Sequence, residues 1–354
     1  MTMRLAIALL ITALGAGRAL GQTASDPALP HHLLETERNT IRIFREVSPS
    51  VVFVTNTQRR RSIFTLNVME IPKGSGSGFL WDEAGHVVTN YHVLAGGNAF
   101  SATLADGKTY ATEYVGGAPD QDIAVLRILD PPPDLDPVRI GDSSGLLVGQ
   151  KVLAIGNPFG LDQTLTTGII SALGREIRSM AGNLIEDVIQ TDASINPGNS
   201  GGPLLDSSGT LIGVNTAIVS PSGSSAGIGF AVPVNSVRRI VPQLIAHGHV
   251  RRAGLGVRLL GDEYARRFRV EGVIIRDVIQ GGAAEKAGLQ PLIVDRRGHV
   301  RSFDVIIGID DTPIRNYNDL YSALHQRSPG EWVEVRYLRG GRETRTRLRL
   351  QEIH

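Results

Sequence analysis

Short apolar runs at residues 50–55, 78–82, 86–90, 101–105, 122–128, 151–156, 166–173, 187–191, 203–206 and 210–217 limit the folds open to this chain more than any other feature. Glycine-rich turns separate them, and 41 of the 354 residues are glycine. Runs this short suit half-buried or fully buried strands, so they argue for an all-β barrel or sandwich. With 42% apolar residues the chain can bury a sizeable core, and its length predicts two domains.

Helical patterning at 37–46 leads into the strands, and a second helix at 234–247 closes this part of the chain. Residues 247–252, His-Gly-His-Val-Arg-Arg, read as a linker. Beyond them come Gly254-Leu255-Gly256-Val257, a strand at 272–279, a helix at 283–288, a strand at 304–309, a helix at 318–326 and strands at 331–338 and 344–350. The final strand alternates Thr344, Thr346, Leu348 and Leu350 with Arg345, Arg347 and Arg349, as one buried and one wet face require. The polar insert 290–302 is longer than a usual connection and is expected to be a mobile loop.

Residues 1–21 read as a secretory signal peptide: Arg4 supplies the charge, residues 5–14 a mainly apolar core, and Ala19 and Gly21 the small residues for cleavage. That core falls short of the ~20 residues a bilayer needs. An uncleaved membrane anchor is the competing reading, and no later stretch is long enough to span. Residues 22–36 are a polar spacer. Without the leader, 34 Lys and Arg face 35 Asp and Glu, so charge gives no case for a nucleic-acid partner. Arg59-Arg60-Arg61, the one basic cluster of note, reads as a solvated flexible loop, with salt-dependent docking as the alternative. The absence of cysteine removes disulfides, thiol catalysis and cysteine metal sites together. Residues 74–78, Gly-Ser-Gly-Ser-Gly, lack the Gly-Lys-Ser/Thr ending of a phosphate loop and lead into a strand, so no nucleotide site is read there. No cofactor and no metal are expected.

Chemistry concentrates at Gly198-Asn199-Ser200-Gly201-Gly202-Pro203. A peptide-bond hydrolase needs an exposed hydroxyl beside two N–H groups aimed at the developing oxyanion, and Gly198 lets its own N–H converge with that of Ser200. An ordinary turn with a solvent-facing serine is the bland alternative. A nucleophilic serine also needs a base and a group that orients the base. His92 is the histidine placed between a strand-like run and a further apolar pair, and Asp122 stands at the mouth of a strand, whereas Asp120 belongs to the preceding turn.

The order His92, Asp122, Ser200, in Thr-Asn-Tyr-His-Val, Asp-Ile-Ala-Val-Leu and Gly-Asn-Ser-Gly-Gly-Pro, closely resembles the HtrA/Deg family of serine proteases. Further matches lie at 156–160, 167–171, 190–193 and 227–233, and residues 63–74 are most similar to chloroplast-lumen Deg proteases and their bacterial relatives. The resemblance implies a mainly β, chymotrypsin-like protease domain of two six-stranded barrels over residues 37–247. It also implies a circularly permuted α+β PDZ domain over 253–352. His92 and Asp122 would come from the first barrel and Ser200 from the second, with Gly198, Asn199 and Ser200 forming the oxyanion loop. Asn199 stands where digestive enzymes carry the aspartate that receives a new N-terminus, so activation by propeptide removal is not expected.

Ser194 and Ile195 on one wall, and Thr216, Ala217 and Ile218 on the other, are the expected specificity pocket. None is charged, which predicts cleavage after small-to-medium apolar residues. Gly254, Leu255, Gly256 and Val257 are the expected carboxylate loop of the PDZ domain, binding peptide C-termini. The family reading also implies unfolded or misfolded exported proteins as substrates, and a location in the periplasm or an equivalent lumen. It implies a homotrimer, or a larger cage stacked from such trimers, with residues 41–47 and Phe64 near its contacts. Two other classes remain open from the residues alone: a non-proteolytic holdase and a PDZ scaffold.

Overall fold

A computed structural model describes residues 29–61, 68–158, 160, 162–178, 184–196, 198–216, 227–295, 297–325 and 327–353. The expected leader, Phe64, Ala217 and Ile218 lie outside the described residues. Helix α1 (Glu35–Val47) has no side-chain hydrogen bond from its N-cap Leu34, whose N–H donates to Glu37. Ile43 and Val47 of α1 are buried against the chain's own barrels.

The first barrel comprises β1 (Val51–Arg61), β2 (Val68–Leu80), β3 (His86–Thr89), β4 (Ala99–Thr103), β5 (Thr109–Ala118) and β6 (Ile123–Ile128), with the one-turn helix α2 (Tyr91–Leu94) after β3. It closes in the order β1-β2-β3-β6-β5-β4. The second contains β7 (Lys151–Gly156), β8 (Thr164–Arg178), β9 (Leu184–Thr191), β10 (Pro203–Leu205), β11 (Leu211–Thr216) and β12 (Gly229–Pro233), closing as β10-β11-β12-β9-β8-β7. Closure gives each strand a neighbour on both sides within the barrel, which is how so many short strands reach stability. Two differences from expectation stand out. Arg59, Arg60 and Arg61 extend β1 and pair in register with Glu70, Met69 and Val68, so they are strand and not loop. Residues 74–78 run inside β2, where Ser77 N–H donates to the carbonyl of Ser200.

One core runs through both barrels and joins them to α1 and to helix α3 (Val234–His247): Ile43, Phe79, Ile123, Leu153, Val214 and Ile240 belong to a single cluster. Each such side chain contributes about 1.5–3 kcal/mol through burial, so the seam between the barrels is as firm as either interior. Anything mounted on that seam inherits the rigidity.

The C-terminal domain follows with β13 (Arg252–Gly254), β14 (Val257–Leu259), α4 (Asp262–Phe268), β15 (Val273–Val278), α5 (Ala283–Lys286), β16 (Ile293–Val294), β17 (Val300–Ser302), β18 (Asp304–Ile309), β19 (Thr312–Pro313), α6 (Tyr317–His325), β20 (Trp332–Arg339), β21 (Arg342–Arg349) and β22 (Gln351–Ile353). Strand β14 is the outer edge of the sheet β14-β15-β18-β20-β21, while β13 pairs with β22. The insert 290–302, expected to be a loop, forms the hairpin β16–β17. Asp304 is fully buried beneath it, held by two bonds from Arg339 (2.8 and 2.7 Å) and one from Gln290 N–H (2.7 Å).

Candidate active site

Asn90 ends β3 and caps α2 in an extended conformation, but its side chain turns away from the helix and donates to the Asp122 carbonyl at 2.9 Å. With Val93 and Leu94 buried behind it, the single turn of α2 fixes His92 at the seam. Asp122 closes a three-residue turn, Pro119–Gln121, in a left-handed conformation (φ 53, ψ 37) that aspartate tolerates better than most residues. This twist sets its carboxylate toward His92 while Ile123 begins β6.

The carboxylate is buried and accepts three bonds: from His92 N–H (3.0 Å), His92 Nδ1 (2.8 Å) and the Thr216 hydroxyl (2.7 Å). An ionised carboxylate can only accept, so Nδ1 carries the proton and Nε2 keeps its lone pair. Backbone and ring of the same histidine are thus tied to one side chain. Thr216, expected in the specificity pocket, is fully buried, and its hydroxyl is committed to Asp122.

Ser200 arrives from the second barrel. The loop bearing it packs on the first: a Cβ at Gly76 would touch both Val93 and the Ser200 carbonyl, and one at Gly201 would strike the Ser77 carbonyl at 2.2 Å. The Ser200 loop and the α2 turn that carries His92 therefore pack on the same segment of β2. The Ser200 hydroxyl is buried and makes no hydrogen bond among the described residues, so the serine–histidine bond is not closed. Catalytic hydrogen bonds of this kind are often long or misaligned before substrate arrives.

Gly198 sits at φ +120 with the Pro158 ring where a Cβ would stand, two independent reasons for glycine. Its N–H and that of Ser200 donate to nothing among the described residues. Asn199 does not share this freedom. Its N–H donates to the Asn196 carbonyl, its Oδ1 accepts from Asn196 N–H, and its Nδ2 donates to the Ser194 carbonyl. It therefore staples the loop and leaves the two flanking N–H groups as the available donors. Ser77, passed over in the sequence, is fully buried, donates to the Gly198 carbonyl at 2.5 Å and accepts from Asn157 N–H at 2.7 Å. Of the other expected pocket residues, Ser194 is exposed, whereas Ile195 is buried in the second barrel's core.

In the C-terminal domain, the Leu255 carbonyl accepts from Ala284 and that of Gly256 from Ile279, while the N–H groups of Leu255 and Gly256 donate to no acceptor among the described residues. They stand at the start of the open edge of β14. Among the described residues no cluster suits a metal ion, and no helix is long and apolar enough to cross a membrane.

Two closed six-stranded barrels, with His92 bonded to Asp122 and the Ser200 loop packed on the first barrel, followed by this second domain, define a trypsin-like serine endopeptidase with one PDZ domain. Residues 76–214 match the trypsin-like peptidase domain and residues 253–350 the PDZ domain. The chain is 52% identical over 323 residues to Protease Do-like 1, chloroplastic, of Arabidopsis thaliana, covering 91% of this chain and 74% of that one. It is 39% identical over 276 residues to the periplasmic pH-dependent serine endoprotease DegQ of Escherichia coli, covering 76% and 58%. A solved structure of the HtrA-type protease AlgW with a decapeptide superposes with a TM-score of 0.69 at 33% identity, covering 89% of this chain and 99% of that chain. The chain belongs to the HtrA/Deg family of serine proteases.

Proposed function

We propose that this protein is an ATP-independent endopeptidase of protein quality control that degrades unfolded or damaged exported proteins through an acyl-enzyme. The observation that carries the reading is the Asp122 carboxylate bridging His92 and Thr216, in one site with the uncommitted Ser200 hydroxyl and the free N–H groups of Gly198 and Ser200. His92 Nε2 takes the proton of Ser200 as Oγ attacks the scissile carbonyl, and Asp122 stabilises the imidazolium. The two N–H groups hold the oxyanion. His92 then protonates the leaving amine, and water, deprotonated by the same nitrogen, releases the acyl group.

An apolar, small-to-medium residue before the cleaved bond fits the lack of charge at Ser194, the exposed member of the expected pocket. Best cleavage of a peptide library after Lys or Arg would overturn that preference. The free N–H groups at Leu255 and Gly256 support recognition of peptide C-termini along β14. A periplasmic or lumenal setting and a trimeric assembly are in keeping with the family, and the relatives named above are chloroplastic or periplasmic.

The decisive comparison is casein degradation by the wild type and by Ser200→Ala. Loss of the nucleophile lowers kcat by about 10⁶-fold, while binding of a denatured client survives. Equal activity in both proteins sinks the protease mechanism and favours the holdase or scaffold readings.

A further inference from the structure

Helix α3 of the protease domain and β14 and α6 of the PDZ domain enclose a cleft of about 700 Å³. Its apolar part, with Leu255, Leu320 and Leu324, is what a peptide-binding groove needs for an apolar terminal residue. Its charge is unusual: arginines 239, 251, 252, 258 and 327 line it, against Asp120 as the single carboxylate.

Three of these arginines are engaged. Arg251 pairs with Glu352, Arg252 with Asp120 and Arg327 with Asp310. Arg239 and Arg258 are exposed, and among the described residues neither has a carboxylate within ion-pair reach. They come from different domains, Arg239 from α3 and Arg258 from β14. Arg239 and His325 of α6 line the same cleft, and burial first, then the charge of Arg239, hold the pKa of His325 below its ordinary value.

We propose that this cleft selects peptides whose apolar C-terminal residue is preceded by Asp or Glu, with Arg239 and Arg258 reading the acids. The proposal rests on the PDZ reading given above. Strand geometry places the preference. A peptide added to the open edge of β14 alternates its side chains, with the last residue turned inward to the apolar floor. Val257 and Leu259 pack on the domain core, so Arg258 between them projects to the opposite face, beside the second and fourth residues from the peptide's end. Arg239 adds positive charge from the protease side, making the site a composite of both domains.

The test uses the mature Ser200→Ala protein and fluorescent decapeptides ending in the same apolar residue, binding being read by polarisation. One peptide carries Asp at the second and fourth positions from the end, one carries Asn there, and a third is the acidic peptide with its C-terminus amidated. Partly exposed ion pairs of this kind predict about 3- to 10-fold tighter binding of the acidic peptide than of the Asn peptide near 0.1 M salt. Arg258→Gln and Arg239→Gln each remove part of the difference, and about 0.5 M salt removes most of it. Equal binding of the acidic and Asn peptides overturns the proposal and leaves the groove standing. Absence of binding, or undiminished binding of the amidated peptide, overturns the groove and the proposal together.

Discussion

Replacing Ser77 by alanine removes one hydroxyl that never meets substrate, yet it changes two buried bonds behind the oxyanion loop. Ser77 Oγ donates to the Gly198 carbonyl and accepts from Asn157 N–H, and its side chain is inaccessible to solvent. The variant leaves a carbonyl and an N–H unpaired, each costing about 1–3 kcal/mol, so the fold loses about 2–4 kcal/mol once partial relaxation is allowed. The backbone bond from Ser77 N–H to the Ser200 carbonyl survives, keeping the two barrels in register.

Catalysis is affected through geometry. The Gly198 carbonyl orients the peptide unit that separates the two oxyanion donors. Loss of one donor outright costs about 10²–10³ in kcat, which is a ceiling. A loop that tilts but keeps both donors loses less, so about 10- to 100-fold is expected, with KM nearly unchanged because the oxyanion exists only in the transition state. The assay is hydrolysis of a chromogenic peptide with an apolar residue before the bond, well below the melting temperature. Fluorophosphonate titration counts active sites, and circular dichroism follows melting. A kcat within about twofold of wild type per active site, whatever the stability, refutes the positioning role. So does a loss carried mainly by KM.

Asp122→Asn leaves the fold intact but frees the imidazole to take the wrong tautomer, and kcat on the same peptide falls by about 10⁴. Arg339→Met strips the buried Asp304 of its cation and destabilises the PDZ domain by about 3 kcal/mol, read by its melting transition, while hydrolysis of a short peptide by the protease domain persists. Burial first, then the charges of Arg239 and Arg252 against those of Glu186 and Asp120, hold the pKa of His325 below 6.5. Between that lowered value and about 6.5, states with His325 exposed bind a proton that the docked state does not. Docking stability is therefore complete above about pH 6.5 and declines as pH falls through the window. Hydrogen exchange at residues 119–122 should quicken on acidification in the wild type and lose that response in His325→Gln.

His92, Asp122 and Ser200 stood out in the sequence because each sits where an apolar run meets a turn, and turn chemistry shows in sequence. Thr216 was misassigned for the opposite reason. Every residue of β11 is buried, so no polar–apolar alternation reveals which face looks toward Asp122. Strand β5, Thr-Tyr-Ala-Thr-Glu-Tyr-Val-Gly-Gly-Ala, was missed because its residues up to Val115 are all exposed or half-buried and its strand form comes from pairing with β4 and β6 on closure. The β16–β17 hairpin escaped because two- and three-residue strands carry no period. Helix α3 was read to the residue, since its buried positions Val237, Ile240, Val241 and Leu244 repeat at helical spacing and Gly248 stops it in a left-handed conformation.

The turn Pro119–Gln121 gives the domain junction its leverage on the chemistry. Asp120 pairs with Arg252, and Gln121 Nε2 lies 3.4 Å from His325 Nε2, so the two residues before Asp122 both touch the PDZ side. Energetically these contacts are slight: a partly exposed pair such as Asp120–Arg252 is worth about 0–1 kcal/mol, too little to raise or lower a catalytic barrier by much. Geometrically they are not. Asp122 holds both the backbone and the ring of His92, and a displacement of about 1 Å in a catalytic group costs on the order of 10²-fold in rate. A contact worth at most about 1 kcal/mol biases the population between a placed and a displaced Asp122 by no more than about fivefold, so these contacts tune the site within that limit while the bonds from His92 and Thr216 hold the carboxylate in place.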